Sequence, residues 1–337
     1  MKRFKKVKLG IVGLGFVSQI AHLPEIKKQK DIQLISAAEK NLQLLNNVGK
    51  KFSIRKLYKS HKDMINNERL DGVVVSVQRN STYRIVKDVI RKKIPVLSEK
   101  PAALDFKKAK NLVHLSSKLR TTYIIGYMKI HDEGVKFVKN FINKKVLGDL
   151  KSVYYRNFSG ESYFGDNNYY KQTKNYIKKY SLNKSKLTNK NFFIKFLNSN
   201  CHSINLLRYF FTNLKLNLNE LDKKGEGLLY FENDKTKIIL NTSYSKIKKN
   251  WIEEIEFNFN KGILKLKLPP PLIKNKFSSI SIFNFLTNKS KRIILKKNRS
   301  FKNQINFFSK QIKRKNTKHH CYGRNCLEDI KIIQKIF

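Results

Sequence analysis

The chain has 337 residues and a large charge excess: 72 Lys and Arg against 24 Asp and Glu give a formal net charge of +48. Hydrophobic residues make up 40%, including 23 Phe and 15 Tyr, which excludes a globally disordered chain and allows about two domains. Residues 1–150 carry 33 basic and 12 acidic side chains and the remainder carries 39 and 12, so the excess is spread along the chain. A protein surface that binds nucleic acid carries its basic residues in a patch or stripe, so we expect no specific nucleic-acid partner. A protein that binds nucleic acid through its charge alone is the alternative.

The cysteines and the apolar runs exclude several other classes. Cys201, Cys321 and Cys326 form no CxxC pair, which predicts neither a disulfide framework nor a metal site and fits a reducing compartment. The basic N-terminus followed by the apolar run Leu9–Val17 imitates a secretory signal, but that run contains Gly13 and Gly15 and no small-residue cleavage site follows. No run approaches the roughly 18 apolar residues of a membrane span. We therefore expect a cytoplasmic protein without a membrane partner.

The first 125 residues alternate between short apolar runs and helical patterns, which predicts a doubly wound parallel sheet. The predicted strands are Val7–Val12, Ile32–Ala38, Leu57–Tyr58, Gly72–Val77, Pro95–Leu97 and Tyr123–Tyr127. The predicted helices between them are Ser18–Lys30, Leu42–Phe52, His61–Asn66, Tyr83–Lys92 and Leu104–Leu119.

After about residue 125 the pattern changes to that of a mainly antiparallel sheet. Hairpin signals surround Asn233-Asp234 and Asn260–Gly262, and a polar, Tyr-rich loop is expected over 159–190. The sequence thus predicts an α/β protein with domains 1–125 and 126–337. The remaining predicted elements are helices Gly134–Asn143, Phe192–Phe211 and Leu327–Ile336, and strands Leu150–Phe158, Gly227–Phe231, Lys237–Tyr244, Ile252–Phe259 and Ile263–Leu268.

A glycine-rich segment lies between the first strand and the first helix. Residues 13–18 read GLGFVS, which is a GxGxxG pattern with Ser18 in the third place. Gly13 and Gly15 permit a tight turn and a close approach to a pyrophosphate, and the helix that starts after them directs its N-terminal amides at the phosphate charge. Phe16 and Val17, within the same segment, are expected to contact the cofactor as well. A lone GxGxxG is weak evidence, but its position between strand and helix predicts a dinucleotide site.

An acidic residue for the ribose is expected about 20 residues further on, at the end of the second strand. Glu39 stands there, directly after Ile32–Ala38. A carboxylate accepts hydrogen bonds from the ribose hydroxyls and repels a 2′-phosphate, which favours NAD. Lys40 follows immediately and could neutralise a 2′-phosphate, so NADP stays open.

A second motif, Ser98-Glu99-Lys100-Pro101, follows the fifth strand. Together with GLGFVS and with His22-Leu23-Pro24 it resembles the Gfo/Idh/MocA family, which includes glucose–fructose oxidoreductase, inositol dehydrogenases and sugar-nucleotide dehydrogenases. The resemblance extends over about residues 7–337. Its later parts are the segments 126–129 (GYMK), 148–153 (GDLKSV), 198–209 (NSNCHSINLLRY) and 321–337.

The resemblance implies an N-terminal Rossmann domain that binds NAD or NADP, followed by an α+β domain with a large open sheet. That second domain would bind substrate and mediate a homodimer or homotetramer. The implied activity is hydride transfer between a nicotinamide and a hydroxyl-bearing carbon of a small sugar, sugar nucleotide or cyclitol.

The resemblance also implies roles for individual residues. Lys100 would lie beside the nicotinamide and hydrogen-bond the reacting oxygen, and His202 would act as general acid or base. Glu99 would orient Lys100 or satisfy loop amides, and His22 would be structural or near the cofactor. The further implied contacts are Gln78, Asn80, Glu99 and Lys100 with the cofactor, and Tyr127, Lys129 and Asn198 with the substrate.

The chemistry supports these roles independently of the family. A carbinol carbon releases hydride as its hydroxyl loses a proton, so a base with a pKa near neutrality is useful, and histidine supplies one. A lysine at the same oxygen stabilises the developing alkoxide.

Some positions depart from the family pattern. Asn198 stands where the family usually has Asp, VQRNST at 77–82 replaces the usual T-P-x-x-x-H, and Ile130 and Glu133 stand where Arg and Pro are common. Asn accepts hydrogen bonds but cannot stabilise an imidazolium by charge. An inactive dinucleotide-binding regulator or scaffold of the same fold is therefore the alternative function.

Overall fold

The computed structural model describes residues 6–159, 196, 200–243, 251–295, 299–314 and 325–336. These residues divide into two compact units. The first contains residues 6–127, 301–314 and 325–330, and the second contains the other described residues. Each unit is built around its own sheet.

The first unit contains a six-stranded sheet with all pairings parallel and the strand order β3-β2-β1-β4-β5-β6. This order reverses between β1 and β4, as in doubly wound dinucleotide-binding folds. It confirms the predicted fold class. The strands are β1 Val7–Val12, β2 Ile32–Ala38, β3 Lys56–Tyr58, β4 Gly72–Val75, β5 Val96–Ser98 and β6 Tyr123–Ile125.

Side-chain caps determine where several helices of this unit begin. Asn41 accepts a hydrogen bond from the amide of Leu44, and Asp105 does the same for Lys108. Such caps satisfy amides that a helix leaves unpaired in its first turn. The helices are α1 Leu23–Lys28, which continues a π-helical turn Ser18–His22, then α2 Leu42–Lys51, α3 His61–Asn67, α4 Arg79–Arg91 and α5 Phe106–Lys118.

A helix from the far end of the chain completes the core of the first unit. This helix, α8 (Ser300–Arg314), places Ile305 and Phe308 in one buried cluster with residues of β1, β4 and β5. A Cβ on Gly72 of β4 would lie 2.9 Å from the Phe308 ring, so the helix packs directly on the strand. Helix α8 was not predicted from the sequence; it lies in the range 126–337, assigned to the second domain, yet it packs in the core of the first unit.

The second unit contains an eight-stranded sheet with the order β14-β13-β12-β11-β7-β10-β9-β8. Its pairings are antiparallel except that of β7 with β10, which confirms the predicted mainly antiparallel sheet. Strands β8, β13 and β14 were not predicted. The strands are β7 Leu150–Ser159, β8 Lys215–Leu221, β9 Gly227–Asn233, β10 Thr236–Ser243, β11 Trp251–Phe259, β12 Gly262–Lys267, β13 Ser279–Asn284 and β14 Lys289–Ile294.

Two helices cover one face of this sheet. They are α6 (Glu133–Asn143) and α7 (Cys201–Phe210). Phe141 of α6 meets Phe259 at a ring distance of 5.9 Å, and Phe210 of α7 meets Phe257 at 5.2 Å. A 3₁₀ turn Met128–His131 precedes α6, and the last helix is α9 (Asn325–Ile336).

The loop predicted over 159–190 lies almost entirely outside the described residues. In the described part of the chain, none of the helices has the length and apolar character that a membrane crossing requires.

Candidate functional site

The first glycine of the GLGFVS segment is required by its surroundings. Gly13 has φ +87°, and a Cβ there would lie 2.3 Å from the carbonyl oxygen of Ser76 at the end of β4. Its amide donates to Ala38 O at 2.8 Å. Because Gly13 has no side chain, the turn after β1 fits between the ends of β2 and β4.

The second glycine faces open space. A Cβ on Gly15 would have no protein atom within 4 Å. Phe16 and Val17 are already helical, so this space lies at the start of the first helix. Helix N-termini attract phosphate groups, and the chain packs nothing against Gly15 itself. The segment therefore fits the pyrophosphate of a dinucleotide.

The helix after the turn starts with a wide π-helical turn, Ser18–His22, closed by a hydrogen bond from the amide of Leu23 to Ser18 O. Pro24 follows at once; in a regular α-helix its ring would collide with the carbonyl four residues earlier. The wider turn relieves that conflict. The Ser18 hydroxyl donates to Gly13 O at 2.6 Å, which ties this helix to the glycine turn.

Glu39 lies beside the glycine turn, as predicted for the ribose-binding acid. Its Oε2 accepts from the amide of Leu14 at 2.9 Å and its Oε1 from the amide of Asn41 at 3.1 Å. The carboxylate is half-buried, and each oxygen keeps a lone pair for a further donor. Lys40 is exposed. Contact of either residue with a ribose stays a prediction.

The Glu99-Lys100-Pro101 segment extends from the end of β5. Glu99 continues the sheet through its amide, which donates to Val75 O at 2.8 Å. Its Oε1 lies 2.8 Å from Nε2 of the buried His22, and its Oε2 accepts from the amide of Lys100 at 3.3 Å. The Lys100-Pro101 peptide is cis. Glu99 thus fixes the backbone that carries the half-buried Lys100, and His22 has a structural role.

The remaining predicted residues of the first unit follow β4 and β6. Gln78 and Asn80 are exposed, at the position before α4 and in its first turn. The helix begins at Arg79, four residues before the predicted Tyr83. Tyr127 follows β6 and is buried. The predicted cofactor residues therefore gather at the carboxyl ends of the parallel strands, where ligands bind in such sheets.

In the second unit, Lys129 is buried on the 3₁₀ turn and pairs with a carboxylate. Its Nζ lies 2.5 Å from Oε1 of Glu253 on β11 and 5.5 Å from the centre of the Trp251 ring. The Tyr155 hydroxyl donates to the same Glu253 oxygen at 2.5 Å. Burial, and next the charge of Glu253, hold the pKa of the Tyr155 hydroxyl well above its usual value.

His202 is buried in the first turn of α7. The next residue, Ser203, contacts Asn157 of β7 through its hydroxyl at 2.8 Å. Asn198, predicted to contact substrate, lies outside the described residues. The structure therefore describes Lys129 and His202 in the second unit, while their contact with substrate stays a prediction.

Four buried or half-buried residues of this region were not predicted as site residues from the sequence: Tyr155, Asn157, Trp251 and Glu253. A signal was available in the strand periodicity: Asn157 and Glu253 occupy positions that continue the inward rows of Val153 and Phe257. A polar residue at an inward position is costly unless it is paired, so it points to a network or a site.

The first unit also has a basic groove that contains none of the predicted site residues. This groove of about 1050 Å³ lies at the opposite edge of the first sheet, near the starts of β1 and β2. It is lined by basic side chains and by none of the predicted site residues; the basic residues are Lys6, Lys8, Lys27, Lys28, Lys30, Arg55, Lys56 and Arg69. Among the described residues, no group of three or more His, Cys, Asp or Glu is arranged to hold a metal ion.

Comparison with known proteins gives a family match within the first domain and relatives that match over part of the chain. The model of the family GFO_IDH_MocA, described as an oxidoreductase family with an NAD-binding Rossmann fold, matches residues 7–127. The rhizopine catabolism protein MocA of Rhizobium meliloti is 26% identical over 154 residues, 45% of this chain and 46% of that protein. Myo-inositol 2-dehydrogenase of Thermotoga maritima is 22% identical over 142 residues, 42% of each chain. The chain thus spans somewhat less than half the length of these relatives.

Solved structures match over nearly the whole chain at low identity. A dehydrogenase (MviM) from Clostridium difficile has a TM-score of 0.77 and 16% identity, covering 98% of this chain and 99% of that one. KijD10, a 3-ketoreductase from Actinomadura kijaniata in complex with NADP and TDP-benzene, has a TM-score of 0.75 and 12% identity, covering 98% and 97%. At these identities the likeness shows a shared fold. Residues 7–127, which contain the glycine turn and Glu99-Lys100-Pro101, match the Gfo/Idh/MocA family model, so the first domain is similar to the NAD-binding Rossmann domain of those oxidoreductases.

Proposed function

We propose that this protein is an NAD(P)-dependent oxidoreductase that acts on a hydroxyl-bearing carbon of a sugar, sugar nucleotide or cyclitol. The observation that carries the proposal is the gathering of Gly13, Gly15, Glu39 and Lys100 at the carboxyl edge of a dinucleotide-binding sheet. The substrate class is supported by relatives named as an inositol dehydrogenase and a 3-ketoreductase.

The cofactor residues have separate roles in this proposal. Gly15 and the helix starting at Phe16 receive the pyrophosphate, and Glu39 accepts hydrogen bonds from the ribose hydroxyls. We favour NAD because the Glu39 carboxylate, already anchored by two amides, would repel a 2′-phosphate. Gln78 and Asn80, exposed at the start of α4, provide further contacts.

A bound nicotinamide supplies the hydride acceptor or donor. Lys100 donates a hydrogen bond to the reacting oxygen and stabilises the alkoxide that develops there. Glu99 holds the Lys100 amide, and the buried His22 holds Glu99, so the strand end that carries Lys100 is positioned by a partly buried pair.

Residues of the predicted domain 126–337 supply the proton transfer and the substrate contacts. His202 takes the proton from the hydroxyl during oxidation and returns it during reduction, a role that typically contributes about 10²–10⁴-fold. Asn198 contacts a substrate hydroxyl through its amide, and Tyr127 and Lys129 complete the substrate contacts. We also expect a homodimer or homotetramer, which light scattering on the purified protein measures.

Cofactor binding and turnover test this proposal in sequence. Calorimetry with NAD⁺ and NADP⁺ should give binding, and a panel of inositols, sugars and sugar nucleotides should reveal turnover. Lys100→Ala should bind the cofactor as the wild type does but lose about 10²-fold or more in kcat. A protein that binds neither cofactor, or a Lys100→Ala variant as fast as wild type, contradicts the proposal or the role of Lys100, respectively.

The second candidate function is a dinucleotide-binding regulator or scaffold without turnover. It is favoured by Asn198 in place of the family Asp and by the sequence VQRNST at 77–82. Binding of a cofactor without its consumption across the whole substrate panel, together with no effect of His202→Ala on any measured property except stability, would favour this function over the first.

A further inference from the structure

One end of the inward face of the second sheet carries a polar cluster, which we call the Glu253 cluster: Lys129, Tyr155, Asn157, Trp251 and Glu253. These residues come from the 3₁₀ turn, β7 and β11. Further along the same two strands the inward positions are apolar and fully or almost fully buried, namely Val153, Ile255 and Phe257. The polar end is thus a local departure from an apolar face.

Among the described residues, only one of the two carboxylate oxygens of Glu253 has hydrogen-bond partners. Glu253 Oε1 accepts from both Lys129 Nζ and Tyr155 Oη, each at 2.5 Å. The Glu253 side chain is fully buried and that of Lys129 is 7% exposed. The second oxygen, Oε2, is buried and has no hydrogen-bond partner among the described residues. A carboxylate oxygen buried in this way is costly unless a donor reaches it.

A second unused acceptor lies directly opposite. Asn157 pairs with Glu253 across the antiparallel β7–β11 ladder, so both side chains are on the same face and close together. The Asn157 amide nitrogen donates to Asn200 Oδ1 at 2.9 Å and to Ser203 Oγ at 2.8 Å. Asn200 uses its own nitrogen toward Thr242, which makes its oxygen the acceptor and fixes the orientation of the Asn157 amide.

Asn157 Oδ1 is therefore a directed acceptor, and within the described ranges it too has no partner. The cluster also contains donors. Lys129 has three N–H groups, and its contacts with described residues are one Glu253 oxygen and the face of Trp251. Two adjacent acceptors beside an ammonium group match hydroxyl groups, which both donate and accept. An anionic group would meet the Glu253 charge, and a cationic group would meet Lys129.

We propose that Glu253 and Asn157 are specificity-determining residues that accept hydrogen bonds from two neighbouring hydroxyl groups of a neutral polyol. The polyol is either a cyclitol or the sugar part of a larger substrate, and this inference rests on the proposed function for its setting. Lys129 and Tyr155 act as positioning residues that hold the Glu253 carboxyl group through its Oε1.

The test removes single hydroxyl groups from the ligand and a single acceptor from the protein, and measures the affinity after each change. Binding of myo-inositol and of UDP-glucose is measured by calorimetry, with and without saturating NAD⁺, on the purified full chain. Monodeoxy analogues of the probe that binds are then measured on the wild type. A site built around a hydroxyl group rejects the analogue that lacks it, so we expect at least one deoxy analogue to lose 10- to 100-fold in affinity.

Glu253→Gln replaces the acceptor Oε2 by a donor at nearly constant size. We expect a 10- to 100-fold loss of polyol affinity and a matching rise in KM, with kcat changed by less than threefold and the NAD⁺ affinity unchanged. The penalty for the deoxy analogue should disappear in this variant. Glu254→Gln is the matched control, because Glu254 is the next residue on β11 and instead pairs with Arg156 at 2.9 Å and Lys267 at 3.0 Å. We expect that control to bind the polyol as the wild type does.

Three results would overturn the inference. In the first, a folded Glu253→Gln protein binds the polyol as tightly as wild type, which would mean that water alone satisfies the two acceptors. In the second, every deoxy analogue binds the wild type equally well, a result that needs no variant. In the third, the wild type binds a cofactor but none of the polyols, which overturns the inference and leaves the dinucleotide site standing. A wild-type protein that binds neither NAD⁺ nor NADP⁺ would instead count against the proposed function.

Discussion

The glycine turn offers a sharp separation between folding and cofactor binding, because Gly13 and Gly15 meet different surroundings. A Cβ on Gly15 would touch no protein atom within 4 Å, and Gly15 does not have a positive φ. A Cβ on Gly13 would lie 2.3 Å from a backbone oxygen at φ +87°. Gly15→Ala therefore perturbs only a bound ligand, whereas Gly13→Ala perturbs the fold.

The magnitudes follow from these surroundings. Replacing glycine by alanine at a compatible conformation stabilises a protein by about 0.4–1 kcal/mol. The free energy of unfolding of Gly15→Ala should therefore equal or slightly exceed that of the wild type. A residue with a side chain in the left-handed region costs about 1–2 kcal/mol, and the clash with Ser76 O adds to it. We expect Gly13→Ala to lose about 2–4 kcal/mol in the free energy of unfolding.

Cofactor affinity should respond in the opposite manner. The Gly15→Ala methyl group occupies the space where the backbone approaches the pyrophosphate. We expect the Kd for the preferred cofactor to rise 10- to 100-fold, which corresponds to about 1.4–2.7 kcal/mol. Gly13→Ala should reduce binding only to the extent that the folded fraction falls.

Two assays measure the pair of variants. Urea unfolding gives the free energy of unfolding, and calorimetry with NAD⁺ and NADP⁺ gives the affinities. A Gly15→Ala protein that is as stable as wild type and binds the cofactor equally well would refute the placement of the pyrophosphate at this turn. A Gly13→Ala protein of wild-type stability would refute the steric argument.

Two further predictions concern single ionisable groups. Glu39→Gln removes the charge at the end of β2 while keeping an acceptor for the Leu14 or Asn41 amide. Calorimetry should then show the ratio of NADP⁺ to NAD⁺ affinity rising about tenfold. An unchanged ratio would contradict the role of Glu39. Burial, with a smaller contribution from Lys136, lowers the pKa of His131 to about 4. Because the unfolded chain binds this proton near pH 6.5, the stabilising contribution is complete above pH 6.5 and is lost as pH falls toward 4, by up to about 3 kcal/mol. Urea unfolding at pH 7 and pH 4.5 should therefore show a smaller acid-induced loss in His131→Gln than in wild type, and equal losses would exclude His131 as the cause.

The first domain was largely predictable because its signals are local. Buried parallel strands are short, continuous apolar runs, and β1 and β2 were predicted with the bounds that the structure has. The turn at Gly13 and the acid at Glu39 follow from their spacing relative to those strands. The carboxyl ends of parallel strands then bring the motif residues to one edge without further information.

The elements that were missed lack such local signals or were not recognised. Strands β8 and β14 are mostly exposed edge strands. The sequence of β14, KSKRII, shows no alternation of apolar and polar residues, whereas β8, KLNLNEL, alternates over 216–219 and was not recognised. Helix α8 does carry an apolar stripe, with Phe301, Ile305 and Phe308 at helical spacing, yet nothing in that stripe indicates which core it enters.

The sequence itself determined the spread of the charge, the order of strands and helices in the first domain, the glycine turn and Glu99-Lys100-Pro101. The first is a count over the chain, and the others are patterns of neighbouring residues. The tertiary structure alone decided that α8 packs on β4, that His22 meets Glu99, and that Lys129 pairs with Glu253 across 124 positions of chain. Such pairs depend on strand register and on which faces are buried together. These are properties of the assembled sheet, because a shift of one residue would turn Glu253 and Asn157 away from each other.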